Sequence, residues 1–187
     1  MSNGTKVKKR DGRIEPLDLD KMHLMVEEAC QGLAGVSASQ VEMKSGIQFY
    51  DGITTEEIQE ILIRAASDLI DLDHPNYQFV AARLLLFALR KQLYGKMRDL
   101  PSLEDHIYSC VNAEVYDPEI YSKYSLEEIQ KADTYIDHTR DFMFTYAGLR
   151  QVADKYLVQD RSSGGVYETP QFMYMLIALT IFAEYPK

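Results

Sequence analysis

Between the break at His74-Pro75-Asn76 and the glycine at position 95, residues Tyr77–Tyr94 carry an unbroken helical pattern, apolar over most of its circumference. Such a helix cannot lie on a surface and must form the centre of a helical unit. The preceding segments supply its neighbours. Asp18 can cap a helix whose Leu19, Met22, Val26, Cys30 and Leu33 share one face, with Gly32 and Gly35 closing it. A second helix is expected over Ser39–Tyr50, stopped by Asp51-Gly52. A third opens on a capping box, Thr54 with Glu57, ahead of the stripe Ile58, Ile61, Leu62, Ala65, Leu69 and Ile70. In front of them, Val7–Arg10 and Arg13–Glu15 read as short strands around Asp11-Gly12, a two-residue hairpin signal. The fold class is mainly α, with a small β-hairpin cap on four helices.

Lys96–Pro101, short and polar, is the expected domain boundary, dividing the chain into residues 1–95 and 96–187. Smaller helices should follow: Ser102–Ala113, one after Asp117-Pro118, one capped by Ser125 with Glu128, and Thr145–Tyr156. Tyr156-Leu157-Val158 and Val166-Tyr167-Glu168 alternate around residues 161–165 as in a hairpin, and Thr169-Pro170 begins the last helix. That helix is apolar all round through Phe172, Met173, Tyr174, Met175, Leu176, Ile177, Leu179, Ile181 and Phe182, five residues before Lys187. It should be buried on every side, yet residues 96–171 offer few large apolar stripes to surround it. The expectation is therefore a piece of a larger protein, or one part of a divided one, although docking as the core of the second unit would also satisfy the pattern.

Composition narrows the function. The 187 residues are 46% hydrophobic and 26% charged, as in an ordinary soluble globular chain. Residues 6–13 set five cations (Lys6, Lys8, Lys9, Arg10, Arg13) against Asp11, a net +4 within an overall −9, which leaves −13 for the rest. Such a body repels a nucleic-acid backbone, and its one basic corner fits a small anion. Cys30 and Cys110 lie far apart, as in a reducing cytosol, with neither a disulfide framework nor a zinc site. No signal segment opens the chain, and the apolar run Phe172–Ala183 is too short for a membrane span.

No phosphate-binding glycine loop, HExxH or nucleophile elbow occurs, and His23, His74, His106 and His138 stand in no metal-ligand spacing. His138 reads as a hydrogen-bonded structural histidine. No catalytic constellation can be assembled from the residues alone. The basic hairpin has two readings. Lys9, Arg10, Lys21 and Lys91 could converge on phosphates, helped by Thr54-Thr55 at a helix N-terminus, with Val7, Leu17, Met22, Ile58 and Phe87 as a slot for a base. Alternatively, the hairpin is a solvated, lysine-rich edge that discourages strand pairing. The residues alone lean slightly to the second.

A family resemblance shifts that balance. Lys9-Arg10-Asp11-Gly12, Glu15 and Leu19-Asp20-Lys21 resemble the opening of an ATP-cone, as do Ile47–Thr55 and Tyr77–Leu84. This domain is the nucleotide sensor at the N-terminus of the large subunit of aerobic, class Ia ribonucleotide reductase. Tyr116-Asp117-Pro118, Ile136–Asp141, Lys155–Val158 and Tyr167–Tyr174 are similar to the helical region preceding that enzyme's ten-stranded α/β barrel, which residues 1–187 do not include. The likeness covers essentially the whole chain and is strongest to bacterial and large-phage forms.

The resemblance implies an overall-activity site for ATP or dATP, with Mg2+ accompanying the triphosphate. It places Lys9, Arg10, Lys21 and Lys91 on phosphates, and Glu15 and Asp18 on the base side. Leu17, Met22 and Ile58 would pack the adenine, while Thr55 and Gln59 approach the ribose and phosphates. Gln59 departs from the histidine or acid that relatives under dATP control usually carry, which implies weakened dATP inhibition. The catalytic cysteines of the family lie beyond residue 187, and Cys30 and Cys110 match none of them, so this chain should be inactive alone. Implied partners are the remainder of the large subunit, the small radical-generating subunit and further copies in a homo-oligomer, in the cytoplasm or a phage host's cytoplasm. Competing readings are a transcriptional regulator of reductase genes built on an ATP-cone, against which two distant cysteines and an acidic body speak, and a ligand-free helical interaction module.

Overall fold

A computed structural model describes residues 5–46, 49–160 and 162–185. They are mainly helical, with one three-stranded sheet. The chain divides into two compact units, one holding the residues up to Ala88 with Phe142–Leu149, the other Leu89–Asp141 and the residues from Arg150 onward.

In the first unit, strands β1 (Lys6–Lys8) and β2 (Ile14–Pro16) pair antiparallel with Val7 opposite Glu15. The expected two-residue turn is in fact a three-residue loop. Gly12 donates to the Lys9 carbonyl at 2.9 Å, and the Lys9 N–H closes on the Arg13 carbonyl at 2.8 Å. Gly12 takes φ +86° and Asp11 does not take a positive φ, so the shorter turn, which needs both central residues there, cannot form. A third strand, β3 (Ile53–Thr54), joins β1 in parallel, giving the order β2-β1-β3. The Gly52 N–H bonds the Lys6 carbonyl at 2.9 Å, and the Lys6 N–H bonds Asp51 Oδ1 at 2.8 Å.

Four helices accompany the sheet: α1 (Leu19–Cys30), α2 (Ala38–Gly46), α3 (Thr55–Ser67) and α4 (Tyr77–Tyr94). Asp18 caps α1, accepting the Lys21 N–H at 3.0 Å, and Thr54 and Glu57 complete the expected capping box of α3. On α1 the buried side chains are Met25, Val26 and Ala29; of the expected stripe Val26 is buried, Met22, Cys30 and Leu33 are half-buried, and Leu19 stands 58% exposed. On α3, Ile58, Leu62 and Ala65 are buried as expected. The helix ends at Ser67, before Leu69 and the exposed Ile70. The second helix ends at Gly46, because Phe49 and Tyr50 leave helical conformation to lead into β3; Ile47 and Gln48 lie outside the described residues. Helix α4 spans the expected residues, and the side chains of Val80, Ala81, Leu84 and Phe87 are buried. Arg83 Nη1 donates to the Ala29 and Gln31 carbonyls at 3.1 and 2.7 Å, satisfying the C-terminal end of α1.

The second unit contains α5 (Leu103–Asn112), α6 (Ile120–Lys123), α7 (Leu126–Asp133) and α9 (Pro170–Ile181). A 3-10 helix (His138–Met143), which the periodicity did not reveal, and α8 (Tyr146–Lys155) continue across the division between units. Ser102 caps α5, and Ser125 with Glu128 forms the expected box on α7. Leu103, Ile107, Tyr124, Ile129 and Phe172 form the core. Where a hairpin was expected after Tyr156, there is a single bridge, Gln159 with Val166, beside the Tyr167 N–H to Val158 carbonyl bond at 2.9 Å. Arg161, in the expected turn, lies outside the described residues.

Helix α9 is not enclosed. Phe172 and Met173 are buried, but Tyr174, Ile177, Ile181 and Phe182 stand 47%, 47%, 62% and 56% exposed. One helix face packs on the core and the opposite face is open. Uniform apolarity around a helix says what it can bury, not what the present residues cover. Among the described residues, no helix is long and apolar enough to cross a membrane.

Candidate functional site

The basic hairpin is anchored to the start of α3. Its loop carries Arg10, whose guanidinium reaches across to the first turn of that helix: Nε pairs with Glu56 Oε1, and Nη2 donates to Gln59 Oε1 at 3.4 Å. Parallel pairing of β1 with β3, which runs directly into α3, holds this arrangement in register. The expected residues Arg10, Thr55 and Gln59 therefore gather at one place. Thr55 Oγ1 donates to Glu56 Oε2 at 3.1 Å. Gln59 is only 7% exposed, so its amide has little freedom to find another partner.

Three cations of the expected set are each matched by a carboxylate: Lys9 Nζ to Glu15 Oε2 at 3.4 Å, Arg10 to Glu56, and Lys21 Nζ to Asp18 Oδ2 at 3.2 Å. Glu15 also takes Arg13 Nη1 at 3.1 Å, and Arg13 Nε pairs with Asp11 at 2.7 Å. The Lys21 backbone N–H, followed by its ammonium, holds the Asp18 carboxyl below its usual range. Burial pushes the Glu56 carboxyl up, but hydrogen bonds from Arg10, its own backbone and Thr55 outweigh that, and it too ends below its usual range. Glu56 was not among the expected site residues. A salt bridge spanning 46 positions of sequence leaves no local signal.

Of the apolar positions, Val7, Ile58 and Phe87 are core side chains at 2%, 7% and 1% exposure, so Val7 and Phe87 are not an open slot. Leu17 and Met22 are half-buried, the first after β2 and the second in the first turn of α1. Lys91 lies in the last turn of α4, in the second unit. Of the expected phosphate donors, Arg10 and the Thr55 hydroxyl meet at the start of α3, whereas Lys9 and Lys21 are held in their own pairs with Glu15 and Asp18. Each is of the kind that suits a polyphosphate, since charge-assisted hydrogen bonds are roughly twice as strong as neutral ones. The carboxylates among them suit an exocyclic amine or a sugar hydroxyl.

The second unit holds a buried polar chain. His106 Nε2 meets the Tyr116 hydroxyl at 3.0 Å, its Nδ1 meets the Tyr94 hydroxyl at 3.4 Å, and its ring stacks on Phe172 at 4.2 Å. Burial, with a smaller contribution from His138, depresses His106 to about 4. His138 is depressed to about 4 by burial and then by Arg90. The expectation of a hydrogen-bonded His138 ring is not met: it packs edge-on against Phe172 with Nδ1 buried and unpartnered, and its carbonyl accepts Arg90 Nη2 at 2.8 Å. Cys110 is buried, and burial pushes its thiol up to about 11, the opposite of an activated nucleophile. A cleft of about 360 Å³ runs beside α6 and α9, lined by Ile120, Tyr124, Met173, Leu176 and Ile177, and is predominantly apolar. Among the described residues no group of three His, Cys, Asp or Glu side chains could hold a metal ion.

Comparison with known proteins adds two family matches and a set of relatives. Residues 5–92 match the ATP cone domain, and residues 142–186 match the ribonucleotide reductase all-alpha domain. All 187 residues align at 48% identity with the ribonucleoside-diphosphate reductase 1 subunit alpha of Escherichia coli K12, covering 24% of that protein. The alpha subunit of Haemophilus influenzae is also 48% identical over the whole chain, which covers 25% of it. That of Enterobacteria phage T4 is 44% identical over 180 residues, 95% of this chain and 23% of the phage protein. The chain thus spans about a quarter of the length of these relatives.

Proposed function

Since the chain belongs to the family of ribonucleoside-diphosphate reductase alpha subunits, whose N-terminal part it matches, we propose that its first unit binds ATP and dATP and reports their ratio to the reductase. The observation that carries this reading is the Arg10 bridge to Glu56 and Gln59, which sets a cation-rich loop over the N-terminal turn of α3. In it, Lys9, Arg10 and Lys21 take the phosphates, with Mg2+ travelling on the triphosphate. Glu15 and Asp18 face the base, Leu17, Met22 and Ile58 pack it, and Thr55 and Gln59 lie by the sugar. The match of residues 142–186 to a reductase domain favours this over a transcriptional regulator, and the relatives give a ligand-free helical module no support.

Gln59 sets the regulatory outcome. A switch must bind its ligands differently in its two states, and ATP and dATP differ by one ribose hydroxyl. Gln59 is uncharged and already engaged by Arg10, so it leaves binding of both nucleotides intact and weakens dATP inhibition. Reduction of ribonucleoside diphosphates belongs to the assembled enzyme, in which this chain acts with the rest of the large subunit and a small radical-generating subunit, as a homo-oligomer in the cytoplasm.

Thermal melting with ATP, dATP and GTP tests the reading directly. A ligand at 100 times its dissociation constant adds about 2.7 kcal/mol. ATP and dATP should each raise the melting temperature, and equal curves with and without them would end the proposal. Strong shutdown of the assembled enzyme at micromolar dATP would end the Gln59 part alone.

A further inference from the structure

Glu56 occupies the two features of the site that a phosphate would seek. It sits at the second position of α3, where the helix dipole favours negative charge, and it holds the guanidinium of Arg10. Its other oxygen takes the Thr55 hydroxyl. The carboxylates of the expected site residues have separate tasks. Asp18 is the N-cap of α1, and Glu15 is shared between Lys9 and Arg13. The carboxylate of Glu56 is thus placed as an anion already docked in the cradle.

We propose that Glu56 is a built-in competitor of the nucleotide phosphates, so that binding requires exchange of the Arg10–Glu56 pair for an Arg10–phosphate contact. This rests on the nucleotide reading given above. Exchange rather than addition sets a lower affinity than the cation count alone implies. The half-exposed position of both partners, 38% and 48% for the side chains, permits it, because neither charge is stranded in a dry interior when the pair opens. The same arrangement makes Glu56 a tuning position. Its charge adjusts the nucleotide concentration at which the site fills, without altering the residues that touch base or sugar.

The test is calorimetric titration of ATP into the 187-residue chain, its Glu56→Gln and Arg10→Gln variants, the double variant, and Glu127→Gln as a control for net charge on an exposed residue of α7. Glu56→Gln should tighten ATP binding about tenfold, or about 1.4 kcal/mol, whereas Glu127→Gln should change it little. In the Arg10→Gln background the same change should give no gain, since the competitor has lost its cation. Glu56→Ala should behave as Glu56→Gln does. Unchanged or weaker ATP binding in both Glu56 variants, with the parent still binding, overturns the competitor role alone. No saturable ATP binding by the parent overturns the nucleotide reading on which it stands.

Discussion

Tyr116 donates its hydroxyl hydrogen to Glu168 Oε2 at 2.5 Å, while Glu168 Oε1 accepts the Val158 backbone N–H at 2.8 Å. Glu168 is 2% exposed, and burial raises its carboxyl despite these two hydrogen bonds. Tyr116→Phe would leave a buried carboxylate oxygen and a histidine nitrogen without their shared partner. A buried acceptor so stripped costs roughly 1–3 kcal/mol, more when charged. The urea midpoint should fall by about 2–3 kcal/mol equivalent with no change in slope. A variant as stable as the parent would show that the pair contributes nothing net.

His106 gives stability a pH dependence of defined sign. Its folded-state value near 4 lies below the ordinary 6.5, so between those limits the unfolded chain binds the extra proton. Its contribution is present above 6.5 and lost as pH falls towards 4, up to about 3 kcal/mol. The facing groups are Tyr94, Tyr116, Cys110 and His138, with Glu168 one hydrogen bond further on. Glu168 and Asp141, both raised by burial, act oppositely, since their folded forms hold a proton that the unfolded forms release. The quantity to measure is therefore a difference. Between pH 6.5 and 4, denaturation free energy should fall less steeply in His106→Gln than in the parent, and identical slopes would contradict the assignment.

Lys9→Ala and Lys21→Ala should each weaken ATP binding by about tenfold, the scale of one charge-assisted hydrogen bond. Neither should change the melting temperature without nucleotide by more than about 1 kcal/mol equivalent, because the Lys21–Asp18 pair is largely in solvent and the Lys9–Glu15 pair is partly so. Loss of folding stability together with binding would make these lysines structural instead.

Most helices of this fold were legible because their signals are local: the Thr54–Glu57 and Ser125–Glu128 boxes, Asp18, and the apolar run of α4 all act within a few residues. What was not legible depends on partners distant in sequence. Strand β3 is two residues long and exists because β1 offers its edge. The Arg10–Glu56 bridge joins positions 46 apart, and it sets a carboxylate against the cation that the loop brings to α3. The start of the α1 stripe was misjudged for the same reason: Val26 is buried as its period implies, but Leu19, which obeys the same period, is left in solvent by its neighbours.

The open face of α9 makes the last prediction. Tyr174, Ile177 and Ile181 follow a three-then-four spacing on one side of the helix, beside the apolar cleft in which Ile177 also takes part. If the proposed association with the remainder of the alpha subunit uses this face, Ile177→Asp places a charge where apolar surface is to be buried, a cost that the free chain does not feel. The variant should melt within about 0.5 kcal/mol of the parent, as exposed substitutions do. Its capture by the co-expressed polypeptide corresponding to the other three quarters of the relatives should fall at least tenfold. Phe172→Ala, on the buried side of the same helix, should instead cost about 3–5 kcal/mol of folding stability. Undiminished capture of Ile177→Asp would remove this face from the interface, whatever else holds the two polypeptides together.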